Sequence, residues 1–159
     1  MEVEGGLGVS IGDNMTLDNL VIEYGQVFLD PGEGTITITA GVGVNFQSVL
    51  TIDTEELAGS VEILGNIDLI NQSLLLIQQE ESAGSVITGN INATLQSSAN
   101  VRDASIGDMY LGSDSHASFD LTVQRNGDDP GTLGCDSRSR YWGTVNISEF
   151  PFFGDCIGI

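Results

Sequence analysis

The chain alternates between apolar and polar side chains over two long stretches. Nearly every even position from 36 to 52 is apolar, and the odd positions take that role from 87 to 101. The segment 60–78 alternates as well, but it also carries leucine and isoleucine on its second face. A period of two is typical of strands with one buried face. The pattern therefore predicts long strands around one core, with 60–78 central and partly covered on both sides.

An internal repeat joins these strands. EELAGSV at 55–61 returns as EESAGSV at 80–86, and each copy is followed by Gly-Asn-Ile, at 65–67 and at 89–91. In an antiparallel meander the copies are equivalent turns between long strands. In a parallel β-solenoid they are equivalent corners of successive coils.

The two architectures predict different strand registers. The meander pairs Phe46 with Ile67, and every core-facing residue stays on one side of the sheet. The solenoid instead pairs Val61 with Val86 and Ile67 with Ile91, and it needs a bulge because the two offsets differ by one residue. The sequence thus favours an all-β fold, an antiparallel sandwich or flattened barrel built around a long-stranded meander, with the parallel solenoid as the alternative.

The remaining pattern is shorter. Residues 15–30 predict one or two strands, and 116–124 and 141–148 predict one each, whereas 102–115 and 125–140 have the composition of loops. No helical period of useful length is present. We expect a flexible N-terminal strand segment at 1–12 and a single β domain at 13–159.

The charge of the chain excludes several functions. It has 23 Asp and Glu against four Arg and no Lys, a net charge of −19. This charge repels a phosphate backbone, so no nucleic-acid partner is expected. The missing lysine excludes a P-loop and Schiff-base chemistry. No apolar run is long enough for a membrane span, and the N-terminus lacks the regions of a signal peptide.

Cys135 and Cys156 are the two cysteines, and they lack CxxC spacing. A disulfide between them would stabilise the fold by roughly 3 kcal/mol on the chain-entropy model, and such bonds persist in oxidising compartments. The sequence therefore predicts an extracellular or cell-surface protein whose leader is not present in this chain.

Catalytic constellations are weak in this sequence. Ser113, Asp114, Ser115 and His116 are adjacent on a turn, and four adjacent residues cannot converge as a triad. The paired carboxylates at 55–56, 80–81 and 128–129 lie in turns without an apolar pocket to raise a pKa. We expect no enzyme.

Two kinds of ligand or modification site are suggested. Asp128, Asp129 and Asp136 combine carboxylates with glycine, which suits a calcium ion, as do Asp103, Asp108 and Asp114 to a lesser degree. Calcium is the one cofactor considered. Glycosylation sequons begin at Asn14, Asn71, Asn92 and Asn146.

A contact patch is suggested at Arg138, Arg140, Tyr141 and Trp142, because arginine and the large aromatic residues are favoured at interfaces. The alternative is that the arginines offset nearby acids while Trp142 packs under the disulfide.

The β-rich body, the acidity and the Gly-flanked N-terminal GLGVSIG resemble extracellular filament subunits, such as those of bacterial pilus and matrix fibres and archaeal threads. The resemblance implies a homopolymer that assembles when each subunit donates an N-terminal strand to the next. Leu7, Val9 and Ile11, on one face of that segment, would then be the subunit contact. The cysteine placement departs from that of chaperone–usher pilins.

Two other functions stay open. One is a secreted calcium-dependent or glycan-binding module, with recognition in the loops 103–116 and 126–141. The other is a small outer-membrane β-barrel, against which the aromatic content of 6% counts because it is too low for two girdles.

Overall fold

The chain forms a parallel β-solenoid with three sides. The computed structural model describes residues 1–5, 8–12, 14–54, 58–79, 84–102, 104–120, 124–125, 133–136, 138–143, 152–154 and 157–158. Over these ranges the backbone winds through eight coils, and each coil hydrogen-bonds to the next. Within them, no helix has the length and hydropathy that a bilayer span needs.

The first three coils contain two strands each, β1 (Glu2–Glu4), β2 (Gly8–Gly12), β3 (Met15–Glu23), β4 (Gln26–Asp30), β5 (Thr35–Asn45) and β6 (Val49–Asp53). The next four coils contain three strands each, β7 (Ser60–Ile63), β8 (Asn66–Ile70), β9 (Leu74–Gln78), β10 (Ser85–Thr88), β11 (Ile91–Ala93), β12 (Ser98–Arg102), β13 (Ser105–Ile106), β14 (Met109–Leu111), β15 (His116–Asp120), β16 (Gln124–Arg125), β17 (Leu133–Cys135) and β18 (Arg140–Gly143). The eighth coil contributes β19 (Phe152–Gly154) and β20 (Ile157–Gly158).

Each side of the solenoid is one column of strands. Side 1 holds β7, β10, β13 and β16, and side 2 holds β1, β8, β11, β14, β17 and β19. The long strands β3 and β5 serve both sides, because Thr35–Ile38 of β5 pairs with β7, Gly41–Asn45 of β5 pairs with β8, and β3 pairs with both parts of β5. Side 3 runs from β2 through β4, β6, β9, β12, β15 and β18 to β20.

The direction of pairing decides between the two predicted architectures. Leu50 lies beside Leu75 on a parallel strand, and Ile67 lies beside Ile91. All pairings between described strands are parallel, so the antiparallel meander, and with it the sandwich or flattened barrel, is wrong and the solenoid is confirmed. The alternation could not decide this, because a period of two fixes which face is buried but not the direction of the neighbouring strand.

The core is a set of stacked apolar columns. On side 2, for example, Val44, Leu69, Ala93, Leu111 and Cys135 follow one another from coil to coil, and all are buried. Alternate residues point outward, as the pleat requires. On the second apolar face of 60–78, Leu64 is 60% exposed, and Ile70, Leu74 and Leu76 are half-buried. The prediction of one central strand at 60–78 is wrong, because these residues form β7, β8 and β9 on three sides of the solenoid.

The repeat marks two glycine corners. Between sides 1 and 2, Gly65 and Gly89 each follow the backbone of the coil before so closely that a β-carbon would clash with it, and a β-carbon on Gly107 would clash with Asn90 Oδ1. Between sides 3 and 1, Gly59 and Gly84 do the same. The sequence 102–115, predicted as a loop, contributes β13 and β14 to this stack.

Candidate functional site

The corner between sides 2 and 3 differs from the other two because it is built from left-handed residues that are not glycine. Consecutive pairs with positive φ occur there in four coils, at Phe46–Gln47, Asn71–Gln72, Leu95–Gln96 and Ser113–Asp114. Tyr24 takes the same conformation one coil earlier. We call this edge the left-handed corner. Such conformations cost about 1–2 kcal/mol each for most residues, so they persist only where the surroundings enforce them.

Buried serines hold this corner in place. Ser48, Ser73, Ser97 and Ser115 directly follow the left-handed pairs, Ser139 takes the equivalent position one coil later, and all five are fully buried. Ser97 Oγ accepts a hydrogen bond from Ser73 N at 3.2 Å and donates one to Thr94 O at 2.7 Å. The same two bonds recur at Ser115, from Ser97 N and to Gly112 O. Each hydroxyl thus ties its own turn to the previous coil.

A groove of about 540 Å³ runs along the left-handed corner. Its lining consists of Tyr24, Phe46, Gln47, Asn71, Gln72, Leu95, Gln96, Ser113, Asp114 and Arg138. All nine non-glycine residues with positive φ in the described part of the chain belong to this lining. The strained backbone is therefore concentrated where a ligand could bind, as is common at functional sites.

One end of the groove is aromatic. The rings of Tyr24 and Phe46 stack with their centroids 5.1 Å apart and their planes 11° from parallel. Tyr24 is 59% exposed and Phe46 is 37% exposed. Phe46 was predicted to face the core, and it does not, because the chain turns the corner at this residue.

A ladder of amides forms the middle of the groove. Gln47 Nε2 donates to Gln72 Oε1 at 3.0 Å, and Gln72 Nε2 donates to Gln96 Oε1 at 3.1 Å. All three side chains are exposed. Since a primary amide has two N–H donors and an oxygen with two lone pairs, Gln72 keeps one donor and one acceptor site after making both ladder bonds.

The other end of the groove carries one ion pair. Arg138 Nη1 lies 3.4 Å from Asp114 Oδ2, and both side chains are largely exposed. Just behind this pair, the carboxylate of Asp136 accepts bonds from Ser113 N at 2.6 Å, Ser139 N at 3.0 Å and Ser139 Oγ at 2.8 Å, and also from Arg138 N. These bonds, with that from Ser113 first, hold the pKa of Asp136 below its ordinary value of 3.8.

The residues considered for catalysis and calcium have other roles or positions. Ser115 is buried and its hydroxyl donates to a main-chain carbonyl, which fits the expectation of a structural turn at 113–116. Asp136 uses its carboxylate to hold the corner of coil seven. Asp128 and Asp129 lie outside the described residues, so calcium binding there stays a prediction.

The residues of the predicted contact patch do not lie on one surface. Arg138 lies at the groove, Arg140 is exposed on side 3, and Tyr141 packs inward against the core. Trp142 lies in β18. Successive side chains of β18 point to opposite faces of the strand, so Arg140 and Tyr141 do not share one surface although they are adjacent in sequence.

The predicted sequons occupy different environments. Asn14 is exposed, and its Oδ1 accepts a bond from Thr35 N at 3.1 Å. Asn92 is half-buried on side 2 and donates to Asp68 Oδ1 at 2.7 Å. Asn71 lines the groove, and Asn146 lies outside the described residues.

The predicted donor strand belongs to its own chain in this structure. Val9 and Ile11 lie in β2, which pairs with β4, and Ile11 is buried in the core. Leu7 lies outside the described residues. The first coil is therefore part of the solenoid.

An acidic cluster joins the first two coils on side 2, where β1 pairs with the end of β3. The carboxylate oxygens of Glu2, Glu4 and Glu23 come within 4.8 Å of one another. A hydrogen bond with Glu2, and then repulsion from Glu2, raise the pKa of Glu4 above 4.5. With one oxygen from each carboxylate, the cluster supplies fewer ligands than the six to eight oxygens that calcium takes.

Cys135 ends the buried side 2 column and is not a free thiol. Its predicted partner, Cys156, lies outside the described residues, so the pairing itself stays a prediction.

Comparison with protein-family models, curated proteins and solved structures finds no match to this chain. The function must therefore be inferred from the geometry.

The sequence carries a signal for the groove that the alternation of apolar residues does not reveal. A buried serine preceded by a polar residue recurs at 47–48, 72–73, 96–97, 114–115 and 138–139, first as Gln-Ser and then as Asp-Ser and Arg-Ser. The number of residues between successive copies of this pair equals the number between paired residues on successive strands of side 3, because the pair marks the turn into each of these strands.

Proposed function

We propose that the chain is a structural subunit of an extracellular or cell-surface assembly, in which copies stack end to end and extend the solenoid into a fibre. The observation that carries this proposal is the unpaired outer edge of the first coil. Of the described strands on side 3, β2 pairs only with β4, whereas every strand from β4 to β18 pairs on both sides. A free parallel edge is a template for another strand.

The opposite end of the stack offers the matching edge. β19 and β20 are the last strands of sides 2 and 3, and each pairs with one described neighbour. Contact between the first coil of one copy and the last coil of another is heterologous, so it propagates as a filament unless the rotation closes a ring. Each added subunit would continue both backbone ladders.

The charge distribution favours this head-to-tail order. Residues 1–101 carry fourteen Asp and Glu and no Arg, Lys or His, whereas all four arginines lie between 102 and 140. Glu2, Glu4 and Glu23 concentrate negative charge at the first coil. Two first coils would therefore repel each other, whereas a first coil would be attracted locally to Arg140, an exposed residue of β18 that pairs with the last strand, β20.

This mechanism modifies the expectation of strand donation. Ile11 is buried in its own chain, so an exchange would have to open the first coil of the donor. Stacking of complete coils needs no such opening.

Sedimentation velocity and electron microscopy test the proposal. The wild-type chain is expected to form rods one solenoid wide that lengthen with concentration. Glu2→Arg/Glu4→Arg should remain monomeric. Glu33→Arg/Glu62→Arg makes the same change of net charge on interior coils and should still form rods. A wild-type chain that is monomeric at every concentration, or rods that both double variants form equally well, would contradict the proposal.

A further inference from the structure

The groove at the left-handed corner is not needed for stacking, and its chemistry points to a ligand of its own. We propose that it binds an extended, uncharged glycan chain along the solenoid axis. Four features of the lining lead to this assignment.

The first feature is the exposed aromatic pair. Tyr24 and Phe46 support each other by stacking, which fixes both rings while leaving Tyr24 59% exposed. A pyranose ring has an apolar face of C–H bonds and a polar rim. An immobilised aromatic surface with a phenolic hydroxyl at its edge suits both parts of such a ring.

The second feature is the amide ladder. Gln47, Gln72 and Gln96 orient one another through their side-chain bonds at 3.0 and 3.1 Å, so little side-chain entropy remains to be lost on binding. Each amide offers both donors and acceptors to the groove. A sugar hydroxyl also donates and accepts, so a row of hydroxyls can satisfy such a ladder without any charge.

The third feature is the balance of charge. In a chain of net charge −19, the groove lining contains one acid and one base, Asp114 and Arg138, which pair at 3.4 Å. The lining is therefore neutral. Anionic glycans would be repelled by the rest of the surface, and cationic ligands would find stronger attraction elsewhere on it.

The fourth feature is the repeat. The lining comes from six successive coils, and neighbouring coils are about 4.8 Å apart, so the groove extends for about 24 Å. Three successive steps carry the same amide, which suits a polymer with a similar repeat. Phe46, Asn71 and Leu95 form one row along this direction, and Gln47, Gln72 and Gln96 form the second.

Isothermal titration calorimetry with neutral hexasaccharides tests the proposal, using cellohexaose, chitohexaose, xylohexaose and mannohexaose as probes. At least one should bind at one site per chain, and its disaccharide should bind at least tenfold more weakly. Tyr24→Ala should weaken binding at least tenfold, because it removes the aromatic end. Tyr110→Ala is the matched control, since Tyr110 is 46% exposed on side 2 outside the groove.

A second pair of variants tests the ladder. Gln72→Ala should weaken binding at least fivefold, whereas Gln78→Ala, an exposed glutamine on side 3, should leave it unchanged. Unchanged melting temperatures would show that both variants are folded. The proposal is overturned if none of the four hexasaccharides binds, if the groove and control variants lose affinity equally, or if the chain binds only oligogalacturonate or other anionic glycans. The variant Glu2→Arg/Glu4→Arg, which should not assemble, should still bind the glycan, because the groove acts independently of stacking. Loss of glycan binding in that variant alone would contradict this independence.

Discussion

The carbonyl oxygen of Ala40 occupies the position that a β-carbon on Gly65 would take. The relation continues down the corner between sides 1 and 2, where a β-carbon on Gly89 would overlap the carbonyl oxygen of Gly65. Backbone thus packs on backbone from coil to coil, and a side chain on either glycine would have to displace the coil before it.

Gly65→Ala should consequently destabilise the fold by at least about 3 kcal/mol, because the overlap involves rigid backbone and not the end of a side chain. Gly43→Ala is the matched control. Its β-carbon would lie 3.7 Å from Asn45 Nδ2, an ordinary contact, so its unfolding free energy should stay within about 1 kcal/mol of the wild type. Urea denaturation followed by circular dichroism measures both, and equal effects would disprove the close approach.

Ser97→Ala tests the buried serine column. The substitution removes the acceptor of Ser73 N and should cost about 1–3 kcal/mol, since a buried N–H then has no partner. Ser98→Ala changes the neighbouring serine, which points outward from β12, and should change stability by less than about 0.5 kcal/mol. If the two variants unfold at the same urea concentration, the hydroxyl of Ser97 does not stabilise the corner.

Leu95 tests the left-handed conformation, because its φ is +55° and its side chain is 46% exposed. Asparagine tolerates this region and β-branched residues do not, so Leu95→Asn should be more stable than Leu95→Ile by about 1–2 kcal/mol. The order should reverse at Leu76, which points outward from the extended strand β9, because isoleucine is favoured in strands and asparagine is not. The same order at both positions would argue against a left-handed turn at Leu95.

The sequence was sufficient to predict an all-β fold and the repeated corners, for identifiable reasons. Alternation marks the buried face of every long segment, and the two copies of AGSV and Gly-Asn-Ile mark positions where the backbone of successive coils comes close. It was not sufficient to predict the direction of pairing. Phe46 shows why. Its position within an alternating run suggested that it faces the core, but Phe46 and Gln47 are both left-handed and turn the chain there. Neither phenylalanine nor glutamine is a usual residue for that conformation, so the sequence gives no sign of the turn.

The candidate groove was harder to predict than the fold. Its members come from six coils and are 18–25 residues apart, so they share a surface only in the parallel solenoid. In the antiparallel register that the sequence favoured, Gln47, Gln72 and Gln96 do not form one row. The acidic cluster of Glu2, Glu4 and Glu23 was missed for a similar reason, since it requires β1 to pair with the end of β3.

Asp136 gives the fold a dependence on pH. Its pKa is lowered in the folded state, chiefly by the hydrogen bond from Ser113 N, so its contribution to stability is present above the ordinary value of 3.8 and is lost as the pH falls through the lowered pKa. Asp136→Asn replaces one acceptor by a donor that faces main-chain N–H groups, and it should cost about 1–3 kcal/mol at pH 7. The difference between variant and wild type should shrink progressively below pH 3.8.

Chemical denaturation of both proteins at pH 7, 5, 4 and 3 measures this difference. Glu33→Gln, a change at an exposed carboxylate, controls for the loss of one negative charge and should differ from the wild type by less than about 0.5 kcal/mol throughout. Protonation of the other carboxylates changes the stability of all three proteins in the same way. The difference in unfolding free energy between Asp136→Asn and the wild type therefore reports on Asp136 alone. If the unfolding free energies of Asp136→Asn and the wild type differ by the same amount from pH 7 to pH 3, the carboxylate stabilises the corner without being held in its charged form.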